Sequence, residues 1–430
     1  YILYEGDVEV IKDGQRVDTL RASRKPQVPV AHCFGDRALL KNEPRAATVR
    51  VTSRTAKALT LDRVSFEGLL GAVGAIRNIL SEPNSEGQRS LKTTAATNGG
   101  LASAWIKQHD GGPERIEDLA LIGVLGVGAF GKVELRQDEL TLKTYAVKVM
   151  SKGYIVKKKM QQNVLNEKHI MESVGSPFII KLYSTMNTTQ WLHFCMEPAL
   201  GGELFVVYHR KCFHGSINHA RYYSASVVLA LEHLHERYVI YRDLKPENLL
   251  LSNKGILKLT DMGLAKFAIG KTYTTCGTPD YFAPEVIQSS GQTRAVDWWT
   301  LGVLLFELMT GTVPFKAQSE LDMYGKVLKG INAVQFPQGA AQGATEDLVK
   351  KLLERVPMKR LPMRHGVQSL KNHTFYRDFD WPGLSNETLR PVFLPAVKHP
   401  TDLSQFLHVR HNKVHWAEWK DDGSGWDKDF

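Results

Sequence analysis

Cysteine and long hydrophobic runs are both scarce in this 430-residue sequence. The four cysteines have spacings that fit neither a CxxC metal pair nor a dense disulfide framework. They are Cys33, Cys195, Cys212 and Cys276. The longest strongly apolar stretch, at 298–309, contains Glu307 and is shorter than the ~20 residues that a membrane span needs. We therefore expect reduced thiols, a cytoplasmic protein and no transmembrane segment.

A secretory signal is also lacking, because no charged segment precedes an apolar one near the start of the chain. The chain opens at Tyr1 with an alternating, strand-like pattern already in progress. This pattern predicts a fragment that begins inside a domain. The length predicts two or three domains of about 150 residues each.

The charge balance is basic, since 55 Lys and Arg against 45 Asp and Glu give a net charge of +10. Proteins that bind nucleic acid or anionic lipid have such a balance, and so do enzymes that handle phosphates. Basic residues are spread along the chain apart from short runs such as 157–159. This spread favours the enzyme, and we expect no nucleic-acid partner. Peripheral contact with a membrane stays open.

Composition changes along the chain divide it into four segments. Residues 1–80 show short strands broken by turns, and residues 81–115 form a linker rich in Ser, Asn, Thr and Gly. Residues 116–376 contain strands followed by long helical patterns. Residues 377–430, rich in Pro, Asp and Trp, form a tail without clear periodicity.

Hydrophobic periodicity predicts the secondary structure of several segments. Alternation predicts strands at 1–11, 48–51 and 58–61. Helical spacing predicts helices at 161–172 and 219–237.

A glycine-rich GxGxxGxV run follows the first strand of the third segment. Three glycines let a backbone approach phosphate groups, although dinucleotide-binding folds and plain tight turns also use this pattern. Residues 133–135 look like a strand rather than a helix, which disfavours the dinucleotide interpretation. The candidate phosphate-binding residues are Leu125, Gly126, Val127, Gly128, Ala129, Phe130, Gly131, Lys132 and Val133.

A lysine and a glutamate are placed to form an ion pair near this loop. Lys148 lies in the alternating run 145–150, from which it can extend towards phosphates beneath the loop. Glu167 lies on the predicted helix at 161–172. Each residue alone is an ordinary surface charge, but a buried pair is costly unless it has a function.

The strongest signal is the run YRDLKPEN at 241–248, followed by Asp261. Asp243 can accept a hydroxyl proton, and Lys245 can steady a phosphoryl group during its transfer. Asn248 and Asp261 offer oxygen ligands suited to Mg²⁺. Each residue alone could be a cap, a turn or a surface charge. Their joint order and spacing favour phosphoryl transfer.

Residues 119–376 thus resemble a eukaryotic protein kinase catalytic domain of the AGC type. APE at 283–285, with Arg360 as its buried ion-pair partner, and DWW at 297–299 match that family. The segment 271–279 resembles its activation and substrate-docking loop. The resemblance implies an α+β, bilobal kinase fold that binds ATP and Mg²⁺.

The resemblance also implies roles for residues outside the catalytic run. Thr274 occupies the position phosphorylated in that family, and Arg242 would pair with its phosphate. The carbonyl of Glu197 and the N–H of Ala199 would read the adenine edge. Met262 replaces the Phe of the family's DFG motif, with similar size and apolarity.

Three acids match positions that bind arginines upstream of the phosphoacceptor in basic-directed AGC kinases. They are Glu203, Glu247 and Glu307. The alternative is a solvated acidic face. We expect protein substrates with a Ser or Thr preceded by Arg or Lys, because carboxylate–guanidinium pairs are strong and directional.

A second motif, at 34–40 and 42–49, resembles the phosphate-binding cassette of cyclic-nucleotide-binding domains. The resemblance implies a partial β-barrel (jelly-roll) domain before the kinase fold. Arg45 would pair with the cyclic phosphate, and Asp36 would accept the ribose hydroxyl. The candidate nucleotide-binding residues are Gly35, Asp36, Ala38, Arg45 and Ala46. The alternative is a basic turn between two strands.

Two features point to different cyclic nucleotides. Ala46 lacks the hydroxyl that cGMP-selective relatives often place there, which leans towards cAMP or weak selectivity. A kinase and a nucleotide-binding domain on one chain resemble cGMP-dependent kinases instead. We expect a kinase with cGMP as allosteric ligand. The alternatives are a cAMP-responsive kinase, a catalytically dead scaffold and a cyclic-nucleotide-controlled DNA-binding protein, although the last lacks a helix-turn-helix pattern.

Overall fold

The structure is a computed structural model of the chain. It describes residues 2–12, 15–22, 32–33, 48–59, 112–128, 130–268, 270–339, 341–407, 409, 417–421, 423–428 and 430. The chain divides into two compact units, Tyr1–Ile106 and Lys107–Phe430. The described elements of the first unit are all strands, and the second unit combines strands with helices.

Strand β1 organises the first unit by pairing antiparallel with the other four described strands. The strands are β1 (Ile2–Lys12), β2 (Gln15–Ala22), β3 (His32–Cys33), β4 (Thr48–Val51) and β5 (Lys57–Leu59). Gly6 has φ +96°, and a Cβ there would lie 2.4 Å from the Thr55 carbonyl oxygen, so only glycine fits. The strands predicted at 1–11 and 48–51 are present, and the one at 58–61 overlaps β5. This β-rich unit is consistent with a partial cyclic-nucleotide-binding domain.

A five-stranded antiparallel sheet forms the first part of the second unit, in the order β6-β7-β8-β10-β9. Its strands are β6 (Leu119–Val127), β7 (Gly131–Asp138), β8 (Thr144–Ser151), β9 (Leu182–Asn187) and β10 (Trp191–Met196). Helices α1 (Lys152–Lys157) and α2 (Gln161–Ser173) lie between β8 and β9 in the chain. Helix α2 buries Glu167 together with Val164, Ile170 and Met171. The helix predicted at 161–172 is therefore present.

The remainder of the second unit is mainly helical. Its helices are α3 (Leu204–Lys211), α4 (Ile217–Glu236), α5 (Pro284–Ile287), α6 (Ala295–Thr310), α7 (Glu320–Lys329), α8 (Ala344–Leu352), α9 (Leu361–His365), α10 (Val367–Lys371) and α11 (Trp381–Ser385). Short strands β11 (Gly202–Glu203), β13 (Leu249–Leu251) and β14 (Leu257–Leu259) form one sheet, and β12 (Val239–Ile240) pairs with β15 (Lys266–Phe267). Among the described residues, no helix is long and apolar enough to cross a membrane.

Two central helices account for the apolar periodicity of the sequence. Helix α4 confirms the helix predicted at 219–237, and α6 contains the apolar stretch at 298–309. Both helices bury most of their residues, and their buried apolar side chains belong to one large hydrophobic cluster. The sheet and this helical part together form the predicted α+β, bilobal fold.

An ion pair deep in the helical part joins α5 to the start of α9. Arg360 Nη1 and Nη2 contact the two carboxylate oxygens of Glu285 at 2.6 and 2.7 Å. Arg360 also donates to the Ala295 carbonyl at 2.7 Å and lies 5.1 Å from the Trp299 ring centre. Arg360 is fully buried and Glu285 nearly so. Removal of either side chain would therefore leave an unpaired charge in the interior. This pair is the one predicted from the APE motif.

The C-terminal segment packs on the five-stranded sheet. Asp427 accepts a contact of 2.7 Å from Lys152, and its carbonyl accepts a hydrogen bond from Asn187. The ring of Phe430 meets that of Phe194 edge-on at 5.1 Å. Residues distant in sequence therefore complete the surface of the sheet.

Arg360→Leu should destabilise the second unit by about 3–5 kcal/mol, because it leaves the Glu285 carboxylate buried and unpaired. Denaturant unfolding followed by tryptophan fluorescence measures this change. Arg364→Leu, at an exposed position in helix α9, four residues further on, is the matched control and should change stability by less than about 0.5 kcal/mol. The double change of Glu285 and Arg360 to Leu should recover part of the loss. Equal stability of Arg360→Leu and the control would contradict the prediction.

Candidate active site

The three glycines of the glycine-rich run have different surroundings: Gly126 lies in β6, Gly128 in the turn and Gly131 at the start of β7. A Cβ on Gly131 would lie 1.7 Å from the Val149 carbonyl oxygen, so the pairing of β7 with β8 requires glycine there. The Gly128 N–H donates to the Gly131 carbonyl at 2.9 Å and tightens the turn. A Cβ on Gly126 would meet nothing within 4 Å among the described residues. The turn thus leaves open space next to its backbone, as a phosphate-binding loop needs. Ala129 lies outside the described residues.

Lys148 on β8 contacts two carboxylates. Its Nζ lies 2.7 Å from Glu167 Oε1 on α2 and 3.2 Å from Asp261 Oδ1, which follows β14. Glu167 is buried, whereas the Asp261 side chain is about half exposed, at 51%. The structure therefore brings together three predicted site residues from three separate parts of the chain.

The charges of this cluster shift one another's pKa values. Burial alone would lower the pKa of Lys148, but the carboxylates of Asp261 and Glu167 raise it above its ordinary value. The Lys148 ammonium in turn lowers the pKa of Asp261. Burial raises the pKa of Glu167, and Lys148 opposes that rise. Lys148 is therefore a stable cation at neutral pH, suited to bind phosphate oxygens.

The buried carboxylate of Asp297 on α6 holds the catalytic run. Its oxygens accept the backbone N–H groups of Tyr241 and Arg242 at 3.0 and 2.8 Å, and His235 Nε2 lies 2.7 Å from it. Arg242 has φ +68°, a conformation that non-glycine residues rarely adopt. Its hydrogen bond to Asp297 stabilises this conformation and directs the chain towards Asp243.

The Asp243 carboxylate is oriented by an amine and an amide. Lys245 Nζ contacts its two oxygens at 3.1 and 2.9 Å, and Asn248 Nδ2 donates to Oδ2 at 2.8 Å. Lys245 Nζ also donates to Thr278 Oγ1 at 3.1 Å. Asp243 is 7% exposed. The predicted catalytic pair therefore lies together, with the activation segment in contact.

Asn248 and Asp261 present oxygens suited to Mg²⁺. Asn248 Nδ2 donates to the Asp243 carbonyl and to Asp243 Oδ2, both at 2.8 Å, so the side-chain oxygen Oδ1 is not used in these contacts. The N–H and hydroxyl of Thr260 both donate to the Asn248 carbonyl, which ties the residue preceding Asp261 to this loop. No group of three His, Cys, Asp or Glu forms a metal site in the described part of the chain. These two oxygens fit a Mg²⁺ that is completed by phosphates and water.

The segment after β10 contains the backbone groups that the sequence predicts to read the edge of adenine. The Glu197 carboxylate accepts from the Lys181 N–H at 2.8 Å and from Lys258 Nζ at 2.9 Å. The Glu197 carbonyl and the Ala199 N–H have no hydrogen-bond partner among the described residues. The Glu197 side chain is thus held by two hydrogen bonds. The Glu197 carbonyl and the Ala199 N–H stay available to a ligand.

The three predicted substrate-binding acids differ in their surroundings. Glu247 is exposed, Glu203 directly precedes α3, and Glu307 on α6 accepts a hydrogen bond from the Tyr281 hydroxyl. Burial raises the pKa of Glu307, and the negative charges of Glu247 and Asp280 raise it further. Glu247 and Glu307 therefore contribute to one negative field, which a substrate cation would neutralise.

Thr274 and Arg242 are not joined by a hydrogen bond among the described residues. Thr274 is exposed, and Arg242 Nε donates to the Leu264 carbonyl at 2.8 Å. Arg242 Nη1 is buried and has no partner in the described part of the chain. A buried guanidinium N–H without an acceptor fits a site for an added phosphate.

Several contacts of the site were not predicted. They are those of Thr278 with Lys245, of Tyr281 with Glu307 and of His235 with Asp297. The resemblance of segment 271–279 to an activation loop was the only feature of the sequence that pointed to Thr278. Hydroxyl and imidazole side chains carry no spacing pattern that reveals a distant partner.

The candidate cyclic-nucleotide-binding residues lie outside the described residues. They are Gly35, Asp36, Ala38, Arg45 and Ala46. Their roles therefore stay predictions from the sequence.

Comparison with known proteins gives matches over most of the chain. The protein kinase domain family matches residues 119–376. The cGMP-dependent protein kinase, isozyme 1, of Drosophila melanogaster is 37% identical over 92% of this chain and 51% of its own length. The cGMP-dependent protein kinase 2 of Homo sapiens is 34% identical over 100% of this chain and 58% of its own length.

A relative with another name matches a smaller part. The cAMP-dependent protein kinase catalytic subunit of Dictyostelium discoideum is 41% identical over 68% of this chain and 45% of its own length. The chain thus spans about half the length of the curated relatives that it matches.

Lys148→Met should weaken ATP binding at least tenfold, because it removes a charge-assisted contact of about 1.5–3 kcal/mol. Without the ammonium, the depressed pKa of Asp261 should rise. As the solution is acidified, the variant should therefore lose the Mg²⁺-dependent part of ATP binding at a higher pH than the parent protein does. Calorimetric titration with MgATP across a pH series measures both effects.

Lys157→Met, at an exposed position on α1, is the matched control and should bind as the parent protein does. An Lys148→Met variant with the parent's affinity and pH profile would show that Lys148 does not contact the nucleotide.

Proposed function

Because this chain belongs to the protein kinase family, we propose that it is a cGMP-activated serine/threonine kinase that transfers the γ-phosphoryl group of ATP to proteins. The observation that carries the proposal is that one unit contains both sets of predicted catalytic groups. Asp243 and Lys245 are in contact on one loop, and Lys148 contacts Glu167 and Asp261. Relatives named cGMP-dependent protein kinase, aligned over 92–100% of the chain, support cGMP as the activating ligand.

The chain's own residues account for most of the proposed transfer. The backbone of Gly126 and Gly128 leaves room for the phosphates, and Lys148 binds their oxygens. Asp243 accepts a hydrogen bond from the substrate hydroxyl, orients it for in-line attack and takes its proton. The Lys245 ammonium stabilises the negative charge on the phosphoryl group in a loose transition state. Asn248 and Asp261 would hold Mg²⁺, which would supply further neutralisation of the phosphate charge when bound.

The preferred substrate is a Ser or Thr preceded by Arg or Lys. The negative field of Glu247 and Glu307 supports this preference, because a guanidinium would form charge-assisted hydrogen bonds with their carboxylates. Glu203 is the third acid proposed for this surface. We also propose a cytoplasmic location, supported by the ATP chemistry and by Cys195, Cys212 and Cys276, which are free thiols.

The proposed regulation is thermodynamic linkage between cGMP binding and the active arrangement. One nucleotide that binds the active state tenfold better supplies about 1.4 kcal/mol. A change from mostly inactive to mostly active needs about 5.5 kcal/mol. A strong switch therefore requires either high selectivity for one state or several nucleotide sites.

Particular residues bear on two alternative functions. Ala46 favours a cAMP-responsive kinase, because it lacks a hydroxyl for guanine. A catalytically dead scaffold would bind nucleotides without turnover, but the Lys148–Glu167 ion pair and the Asp243–Lys245 contact disfavour it.

Asp243→Asn should abolish phosphoryl transfer and leave ATP binding nearly unchanged, since Asp243 acts on the acceptor hydroxyl rather than on the nucleotide. The measurements are peptide phosphorylation and MgATP calorimetry on the same preparation. Asp421→Asn, away from the catalytic run in sequence, is the control and should keep both activities. An equal loss of ATP binding in Asp243→Asn would show that its assigned role is wrong.

Phosphorylation of an Arg-Arg-x-Ser peptide by the longest expressed form of the protein should rise at a cGMP concentration at least tenfold below that for cAMP. An Ala-Ala-x-Ser peptide is the matched control and should be a much poorer substrate. Activation at lower cAMP would instead favour the cAMP-responsive kinase. Absence of turnover with Thr274 phosphorylated would favour the scaffold.

A further inference from the structure

The activation segment is attached to the chain that leads into helix α6. Thr272 and Gln292 exchange two backbone hydrogen bonds, of 2.9 Å from the Thr272 N–H and 2.7 Å from the Gln292 N–H. Both residues are nearly buried, at 4% and 3% exposure. Backbone pairs shielded from water resist opening.

The Gln292 side chain extends this attachment to the next residues. Its Nε2 donates to the Thr274 carbonyl at 3.0 Å. The acceptor is a backbone atom, so this hydrogen bond is independent of the Thr274 hydroxyl and of its phosphorylation. Lys266 Nζ donates to Thr272 Oγ1 at 3.1 Å and supports the same segment from β15.

A glycine permits the close approach of the two segments. Gly291 has φ +90°, and a Cβ there would lie 2.7 Å from the Lys271 side chain and 2.9 Å from the Tyr273 ring. Lys271 Nζ also donates to the Ser290 carbonyl at 3.0 Å. The local backbone is therefore built for this contact.

The attachment is linked to the active site at both ends. Helix α6, which begins shortly after Gln292, contains Asp297, and that carboxylate holds Tyr241 and Arg242. The activation segment continues to Thr278, which accepts a hydrogen bond from Lys245. Arg242 Nη1, the expected partner of a phosphate, makes no hydrogen bond among the described residues. The order around Thr274 therefore comes from Gln292 rather than from Arg242.

We propose that Gln292 is a positioning residue that holds the activation segment in its working arrangement while Thr274 is unphosphorylated. The proposal rests on the proposed kinase function. Gln292 lowers the dependence of the enzyme on phosphorylation, because it supplies part of the order that a Thr274 phosphate on Arg242 would supply. Once that phosphate is present, the two attachments are redundant.

The test compares Gln292→Met in two backgrounds, phosphorylated parent protein and Thr274→Val. Met has about the length of Gln and no charge, but it has no N–H to donate, and Val removes the hydroxyl while keeping the carbonyl. In the Thr274→Val background, Gln292→Met should lower kcat about fivefold, as expected for one lost hydrogen bond. In phosphorylated protein the loss should stay below about twofold. The KM for ATP should not change in either background.

Gln288→Met, an exposed change in the same stretch of chain, is the matched control and should leave kcat unchanged. Thermal unfolding of each variant separates a local effect from general destabilisation. Equal losses of kcat in the two backgrounds, or none in either, would overturn the proposal.

Amide hydrogen exchange gives a readout that does not require catalysis. In unphosphorylated protein, Gln292→Met should speed exchange at Thr272 and its neighbours, whereas Gln288→Met should not. If the phosphorylated parent transfers no phosphate, the kinase function fails and exchange alone decides. Faster exchange then supports the positioning role, and unchanged exchange overturns it.

Discussion

The arrangement of the site depends on the buried carboxylate of Asp297. It is fully enclosed, and it accepts the Tyr241 N–H on Oδ2 and the Arg242 N–H on Oδ1, with His235 also against Oδ2. Both backbone donors would be buried without a partner if the carboxylate were removed, at a cost of about 1–3 kcal/mol each. The contact joins helices α4 and α6 to the catalytic run, so the packing of the helical part sets the direction of Asp243.

Alternating charges extend from this anchored loop towards the sheet. Lys245 lies against Asp243, and Lys148 lies between Glu167 and Asp261. Each cation is thereby held in place without a substrate. Such an arrangement stabilises developing negative charge with little reorganisation, because its dipoles and charges are already oriented. Gly126 and Gly128, at the turn between β6 and β7, leave the space in which that charge would lie.

Much of this architecture could be predicted from local sequence, since spacing within a strand, turn or helix constrains the backbone directly. The strands at 1–11 and 48–51 and the two long helices are examples. The Glu285–Arg360 pair, by contrast, was expected from the resemblance to protein kinases rather than from local spacing. Contacts such as Gln292 with Thr274 escaped prediction, because packing rather than spacing brings them together. The roles of the cyclic-nucleotide residues stay predictions, as those residues lie outside the described part of the chain.

The packing of Asp427 and Phe430 on the five-stranded sheet has a consequence for the timing of folding. The hydrogen bond from Asn187 to Asp427 spans 240 positions. At a synthesis rate of about 5–20 residues per second, the partners of Asn187 emerge tens of seconds after it does. During that interval the ring of Phe194 lacks its aromatic neighbour, so this part of the sheet's surface is completed only after Asp427 and Phe430 have been synthesised.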